Sequence, residues 1–414
     1  MEYIYFMTRF SLMSFPIRNK TVLLRVDYNV PVKGRKILDD SKLKATLPTL
    51  KHLLSENCKI IVATHLGRPN GRIVSELKTN ILAKELQRLL PKEKITKLND
   101  SIGTKIKKKI DKGEVKEIFF LENLRFYKGE EENDPAFAHS LASLAEVYVN
   151  DAFGVSHRKH ASLDKITNFL PAVAGLLMEI EIINLNKAIK PKRPVIWILG
   201  GAKLDKLDLI EQALKKADYV LLGGALPFPF LKAQGISVGM SKCDAASIRF
   251  AKKILQKKEA KKLVLPLDFS VAEQFSVRAK VKTVLFNQIQ PGQIGLDLGP
   301  ETIKFFKKYL RKARTIVWNG PLGYYEWNQF ASSTRDIGRY LGTLTAAIIC
   351  GGGETQDAIK KFHLEHKISR LSTGGGATVN FLEGKRLPAL DALLRNYKRF
   401  KKIVKKQTEI ETLN

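Results

Sequence analysis

The chain has 414 residues, with a hydrophobic content of 44% and a charged content of 27%; that is the balance of a soluble globular protein, and the length predicts two domains. Lys+Arg of 71 against Asp+Glu of 41 leaves a net charge of +30, which favours anionic partners: nucleic acid, a membrane surface or small phosphorylated molecules. No apolar run reaches the ~18 residues of a membrane span, and Cys58, Cys243 and Cys350 form no C-x-x-C pair, which argues against a disulfide framework or zinc site and for a reducing, cytoplasmic setting.

In chain order, the opening "MEYIYFMTRFSLMSF" lacks a basic start, an uninterrupted apolar stretch and a small-residue cleavage site, so it reads as a short extension. Short apolar runs then alternate with helical periodicity. Strands are expected at 21–27, 59–64, 117–121, 146–150, 195–199, 218–222, 262–267, 314–318 and 345–350. Residues 78–90 put Leu82, Leu86, Leu89 and Leu90 on one helical face. Asp134-Pro135 offers a cap and first position for the next helix, and Pro300 opens one carrying Ile303, Phe306 and Leu310. Repeated βα units predict an α/β fold, a parallel sheet covered by helices on both faces. The stretch 170–194 reads as one long helix with a Lys/Pro-rich exit, taken as the connection between a domain over 1–174 and another over 191–386, the joining helix itself at 175–190.

Ligands of such sheets sit beyond the carboxyl ends of the strands, and those ends change character along the chain. The first half carries Asp27-Tyr28-Asn29, His65-Leu66-Gly67-Arg68, Glu122-Asn123-Leu124-Arg125, and Asn150-Asp151 leading to His157 and Arg158. Arginine pairs bidentately with phosphate or carboxylate, so Arg68, Arg125 and Arg158 with the two histidines suit one small polyanion, and Asp27 and Asn29 suit its hydroxyl groups. The second half carries Gly200-Gly201, Gly223-Gly224, "NGPLG", "GGGET" and "STGGGAT". Glycine lets backbone approach a phosphate, and free N–H groups at a helix start complete such a site. Glu326 and Glu354 are candidate ribose or Mg²⁺ partners. The loop "WILGGAKLDK" fits neither G-x-x-x-x-G-K-[ST] nor G-x-G-x-x-G, so a different phosphate chemistry is expected of it.

The motifs "LRVDYNVPV", "HLGRP", "ENLRF", "NDAFGVSHRKHAS", "LGGAKLDK", "LPLDF", "VWNGPLGYYEW", "GGGET" and "STGGGAT" occur in an order and spacing that resemble the phosphoglycerate kinase family over roughly residues 20–390. The resemblance implies two similar-sized Rossmann-like domains, each a three-layer parallel-sheet unit, joined by a long helix across a cleft, with the segment 387–414 returning to pack on the first. It implies reversible phosphoryl transfer between 1,3-bisphosphoglycerate and ADP, giving 3-phosphoglycerate and ATP, with Mg²⁺. Carried over by motif, Asp27, Asn29, Lys42, His65, Arg68, Arg125 and Arg158 would hold the acid sugar, with Lys42, Lys206 and Arg158 catalytic. Gly201, Lys203, Lys206, Gly224, Asn319, Pro321, Gly323, Glu326, Gly353, Glu354 and Thr355 would hold the nucleotide, and Glu354 the metal. The acceptor carboxylate is already ionised at neutral pH, so no general base is needed. The task is to bring two polyanions together and stabilise the transfer, by closure about the joining helix.

Three departures from the family pattern stand out. Lys42 replaces the catalytic arginine, the loop after Gly-Gly-Ala-Lys is one residue shorter, and Glu354 replaces an aspartate. Competing readings are a dehydrogenase, which lacks its nucleotide fingerprint here; a nucleic-acid module built on "KIKKKI" and "KRFKKIVKK"; and a relative that binds without turnover. A monomer with no nucleic-acid or membrane partner is expected.

Overall fold

The computed structural model describes residues 11–34, 36–189, 191–202, 207–365, 368 and 374–411. Lys203, Lys206, Arg35 and residues 372–373 of "STGGGAT" lie outside the described residues, as do residues 1–10 of the opening segment. The chain divides into two compact units, Met1–Ile183 with Arg386–Asn414, and Asn184–Lys385.

The first unit is built on a six-stranded sheet in the order Ile95–Lys97, Ile118–Phe120, Lys59–Ala63, Thr21–Val26, Val147–Asp151 and Ala172–Ala174. Every pairing in it is parallel. Helices cover both faces of such a sheet, so its strands read as continuous apolar runs, as in Val22-Leu23-Leu24 and Ile60-Ile61-Val62, all buried. Helix Leu47–Ser55 buries Leu50, Leu53 and Leu54, and helix Asn80–Leu89 buries Leu82, Ala83 and Leu86.

The expected single helix over 170–194 is corrected. Ala172–Ala174 is a strand pairing with Tyr148, Val149 and Asn150, and the helix runs Leu176–Ile189. The apolar triplet Ala-Val-Ala completes the sheet edge, and Gly175 breaks it from the helix. A Cβ on Gly175 would collide with the Asp151 carboxylate, which instead accepts the helix's Met178 N–H at 3.1 Å.

Helix Pro388–Glu411 belongs to this first unit. Its Asn396 is buried, accepts from the Ala172 N–H at 2.8 Å and donates to the Thr167 and Leu170 carbonyls. Arg395 pairs with Asp164.

The second unit carries a five-stranded parallel sheet ordered Leu263–Val264, Tyr219–Leu222, Val195–Leu199, Thr315–Asn319 and Ala347–Gly351. Trp197 and Trp318 are fully buried on it. A second, antiparallel sheet of Lys282–Leu285, Asp268–Ala272 and Ile294–Leu298 was not expected from the sequence. Its edge strand exposes all but Val284, so no apolar run announces it.

Candidate active site

The carboxyl edge of the first unit's sheet gathers a basic cluster. Lys42, in the short helix Ser41–Ala45, extends to the end of strand Thr21–Val26 and meets the Asp27 carboxylate at 2.8 Å. Asn29 is exposed and accepts from the Gly67 N–H at 2.9 Å. Arg125 donates from Nη1 to the Gly67 carbonyl at 2.8 Å, so the ends of strands Thr21–Val26 and Ile118–Phe120 both grip the turn after Lys59–Ala63. Among the described residues the exposed Arg68 makes no hydrogen bond or ion pair.

Burial, with Arg158 and Arg25 adding repulsion against the pull of Glu131, lowers Arg125 to about 10. Its Nε lies 3.3 Å from Glu131. Arg125 Nη2, Arg158 Nε and His157 Nδ1 are buried with no hydrogen-bond partner. Buried polar groups rarely stay unpartnered, so these atoms fit an incoming anion. His157 is lowered from its ordinary value by burial first and by Arg158 next.

Arg25 was missed by the sequence reading. It is 1% exposed, and the one signal was a lone arginine inside "TVLLRV", where a buried charge must find partners. It donates to Ser162 Oγ at 2.8 Å, lies 3.7 Å from Glu130, and reaches His65 Nδ1 at 3.4 Å. A guanidinium only donates, so His65 Nδ1 accepts and its proton sits on Nε2. Burial, then Arg25, Arg125 and Lys42, push His65 well below its ordinary value. The ring is therefore a neutral donor and adds no charge to the cluster.

In the second unit, a cavity of about 350 Å³ opens at the carboxyl edge of the parallel sheet. Gly201, Gly224, Pro321, Gly323, Glu326 and Glu354 of the expected set line it. Part of its wall is built where the strand-end loops pack on one another through backbone. Gly201 N–H donates to Pro321 O at 2.7 Å, and Gly224 N–H to Leu322 O at 2.8 Å. A side chain at Gly200 would strike the Pro321 carbonyl, and Gly224 has φ of +59°; both positions require glycine.

Asn319 ends strand Thr315–Asn319, next to the central strand Val195–Leu199, is fully buried, and both atoms of its amide lack a partner. Glu354 lies in the first turn of helix Gly353–Lys361. Thr355 is already engaged: its hydroxyl accepts from Gly320 N–H at 2.6 Å and donates to Gly351 O at 2.7 Å, clamping two strand ends together. The sequence reading also missed Phe275 and Tyr324, which face the cavity with ring centroids 5.0 Å apart, and Lys361, whose ammonium holds the Tyr325 and Glu326 carbonyls at 2.8 Å.

The phosphoglycerate kinase family model matches residues 12–385. The phosphoglycerate kinase of Moorella thermoacetica is 41% identical over 391 residues, 94% of this chain and 99% of the relative. That of Pelotomaculum thermopropionicum is 44% identical over 382 residues, 91% and 97%. The solved phosphoglycerate kinase of Coxiella burnetii superposes with a TM-score of 0.82 at 34% identity, covering 93% of this chain and 98% of that one. The chain belongs to the phosphoglycerate kinase family. It is accordingly a kinase, a phosphotransferase with a carboxyl group as acceptor, with a glycolytic role. The fold agrees with the family resemblance read from the motifs: two α/β units on parallel sheets, as in the phosphoglycerate kinases of known structure.

Magnesium fits this family site only as a shared ion. Among the described residues no group of three or more His, Cys, Asp or Glu is arranged to hold a metal. The cavity offers the carboxylates of Glu354 and Glu326, enough for an ion that takes most of its oxygens from phosphates and water.

Proposed function

We propose that the chain transfers a phosphoryl group reversibly between 1,3-bisphosphoglycerate and ADP, giving 3-phosphoglycerate and ATP, with the acid sugar on the first unit and the nucleotide on the second. The observation that carries this reading is the set of buried donors without partners, Arg125 Nη2 and Arg158 Nε in one unit and Asn319 Nδ2 in the other. Each is an unpaid desolvation cost unless a ligand oxygen meets it.

In this reading Arg125 and Arg158 hold an anionic group of 3-phosphoglycerate, His65 donates through Nε2, and Asp27 and Asn29 meet its hydroxyl. Arg68 turns in from its exposed position when phosphate arrives. Lys42 leaves Asp27 to meet the transferring group, acting as a point charge in place of a bidentate fork. On the nucleotide side, Asn319 and the helix start at Gly353 meet phosphates, and Glu326 meets the ribose. Lys203 and Lys206 take up the phosphoryl group, a role that rests on the family resemblance alone. Mg²⁺, held by Glu354 and the phosphates, would supply charge neutralisation. Water exclusion during transfer calls for closure about the helix Leu176–Ile189. Among the described residues no helix is long and apolar enough to cross a membrane, and we place the enzyme in the cytoplasm as a monomer.

The decisive experiment is a coupled assay with 3-phosphoglycerate and Mg-ATP. Turnover that needs all three components is the expected result, with Arg158→Ala raising KM for 3-phosphoglycerate and Asn319→Leu raising KM for ATP. An inactive wild type, or variants with unchanged KM values, would overturn the reading.

A further inference from the structure

We infer that Asp297 is a positioning residue that sets the distance between two walls of the nucleotide cavity. The inference rests on the nucleotide reading of that cavity. Asp297 is 2% exposed, in strand Ile294–Leu298 of the antiparallel sheet. Its neighbour Leu296 lines the cavity, and so do Gly323 and Tyr324 of the adjoining loop.

The carboxylate accepts four hydrogen bonds. Two come from backbone, Leu298 N–H at 2.9 Å and Ser333 N–H at 3.2 Å. Two come from hydroxyls, Ser332 Oγ at 2.7 Å and Ser333 Oγ. The serines open helix Ser332–Leu341, whose own cap position, Ala331, has no side chain able to serve. Asp297 therefore caps, from a separate strand, one orphan N–H group of that helix, that of Ser333, and holds the hydroxyls of its first two residues. Burial raises its carboxyl to about 6, against the pull of the donors from Ser333 and Ser332. Four donors converge on it, an arrangement suited to the ionised form, which accepts all four.

The loop at 320–326 rests on the same carboxylate. A Cβ at Gly323 would collide with Asp297 Oδ1, so the loop backbone is packed directly against it. Two further ties fix the loop's height. Tyr324 N–H donates to Leu296 O at 2.7 Å, and Leu322 N–H donates to Thr334 Oγ1 at 2.9 Å. Strand, loop and helix thus meet at one buried charge, and both cavity walls are referenced to it. Asp297 touches none of the reacting groups in the proposed function. Its effect passes through Gly323 and Leu296.

Two variants test this by calorimetric titration with Mg-ADP, steady-state kinetics and thermal melting. Asp297→Asn turns a donor toward the serine donors. It should raise the Kd for Mg-ADP and KM for ATP about tenfold, as misplacement of a binding wall does, and leave KM for 3-phosphoglycerate unchanged. Ser332→Ala removes one hydroxyl and keeps the charge. It should shift the same two constants about threefold in the same direction. If Asp297→Asn does not fold, Ser332→Ala alone decides. Unchanged nucleotide constants in Ser332→Ala, or equal rises in both KM values, overturn the inference. Asn319→Leu separates the two readings. If it leaves the Mg-ADP Kd unchanged, the nucleotide site itself is wrongly assigned. If it weakens Mg-ADP while both Asp297→Asn and Ser332→Ala do not, only the positioning role fails.

Discussion

Lys42 stands 2.8 Å from Asp27 and is 29% exposed. Asp27 is only 9% exposed, so redirecting the ammonium to an anion leaves a buried carboxylate that must find another donor. The neighbouring Lys44 is instead turned to Asp40 at 2.9 Å. Lys42→Ala is expected to lose most of kcat while 3-phosphoglycerate still binds, and Lys42→Arg to retain activity; steady-state kinetics of the two variants check it. His65 carries a second expectation. Its pKa is held well below 6.5 in the folded chain, first by burial and then by Arg25. The unfolded chain therefore binds the extra proton first, and stability falls as pH drops below 6.5. His65→Gln should flatten that loss in melting curves between pH 6.5 and 4.5, and the wild-type KM for 3-phosphoglycerate should show no inflection from this ring between pH 6 and 8. Most residues of the cluster were legible because they follow strands. Arg25 was not, because it lies inside one, and a single sequence does not reveal which partners neutralise a buried charge.

At the scale of elements, the start of helix Leu176–Ile189 is fixed by side chains from elsewhere. Thr49 Oγ1 accepts from Leu176 N–H at 3.0 Å, and Asp151 Oδ1 from Met178 N–H at 3.1 Å. Asp151 is fully buried with Oδ2 unpartnered, and burial pushes it up to about 7 against the pull of Thr49 and the helix N–H groups. A folded-state pKa above the unfolded value means that the folded form favours the protonated acid. Its contribution is full below about pH 4 and is lost as pH rises through about 7. Asp151→Asn should therefore melt at a higher temperature than the wild type at pH 8, with the advantage gone by pH 4, as scanning calorimetry can measure. The periodicity of 170–194 concealed this junction. Ala172-Val173-Ala174 is compatible with strand and helix alike, and the available sheet edge beside Val147–Asp151 decides between them. The strand Ile95–Lys97 was too short and too polar to announce itself, being half-buried throughout.

For the whole molecule, the two ligand sets belong to different units in the proposed function, so turnover needs the units to approach with both substrates bound. Solution scattering should give a smaller radius of gyration with 3-phosphoglycerate and a non-hydrolysable Mg-ATP analogue together than with either alone. An unchanged radius with both would rule closure out. Expected helices at 78–90, at Pro135 and at Pro300 are present as Asn80–Leu89, Pro135–Ala142 and Pro300–Leu310; apolar spacing marks all three, and of the three only the second has a local side-chain cap, Asp134, which accepts from Phe137 N–H.

By itself, the sequence determined the α/β class, the parallel sheets and many of the residues that follow their strands. Strand runs and the glycines and arginines that follow them are local signals. The tertiary structure alone decided which donors are left without partners, that Arg25 orients His65, that Thr355 is spent on holding Gly320 and Gly351, and that Asp297 caps a helix from a strand in another sheet. These depend on burial and on contacts between residues far apart in the chain, and the free energy of a polar group is set by the groups that surround it rather than by its neighbours in sequence.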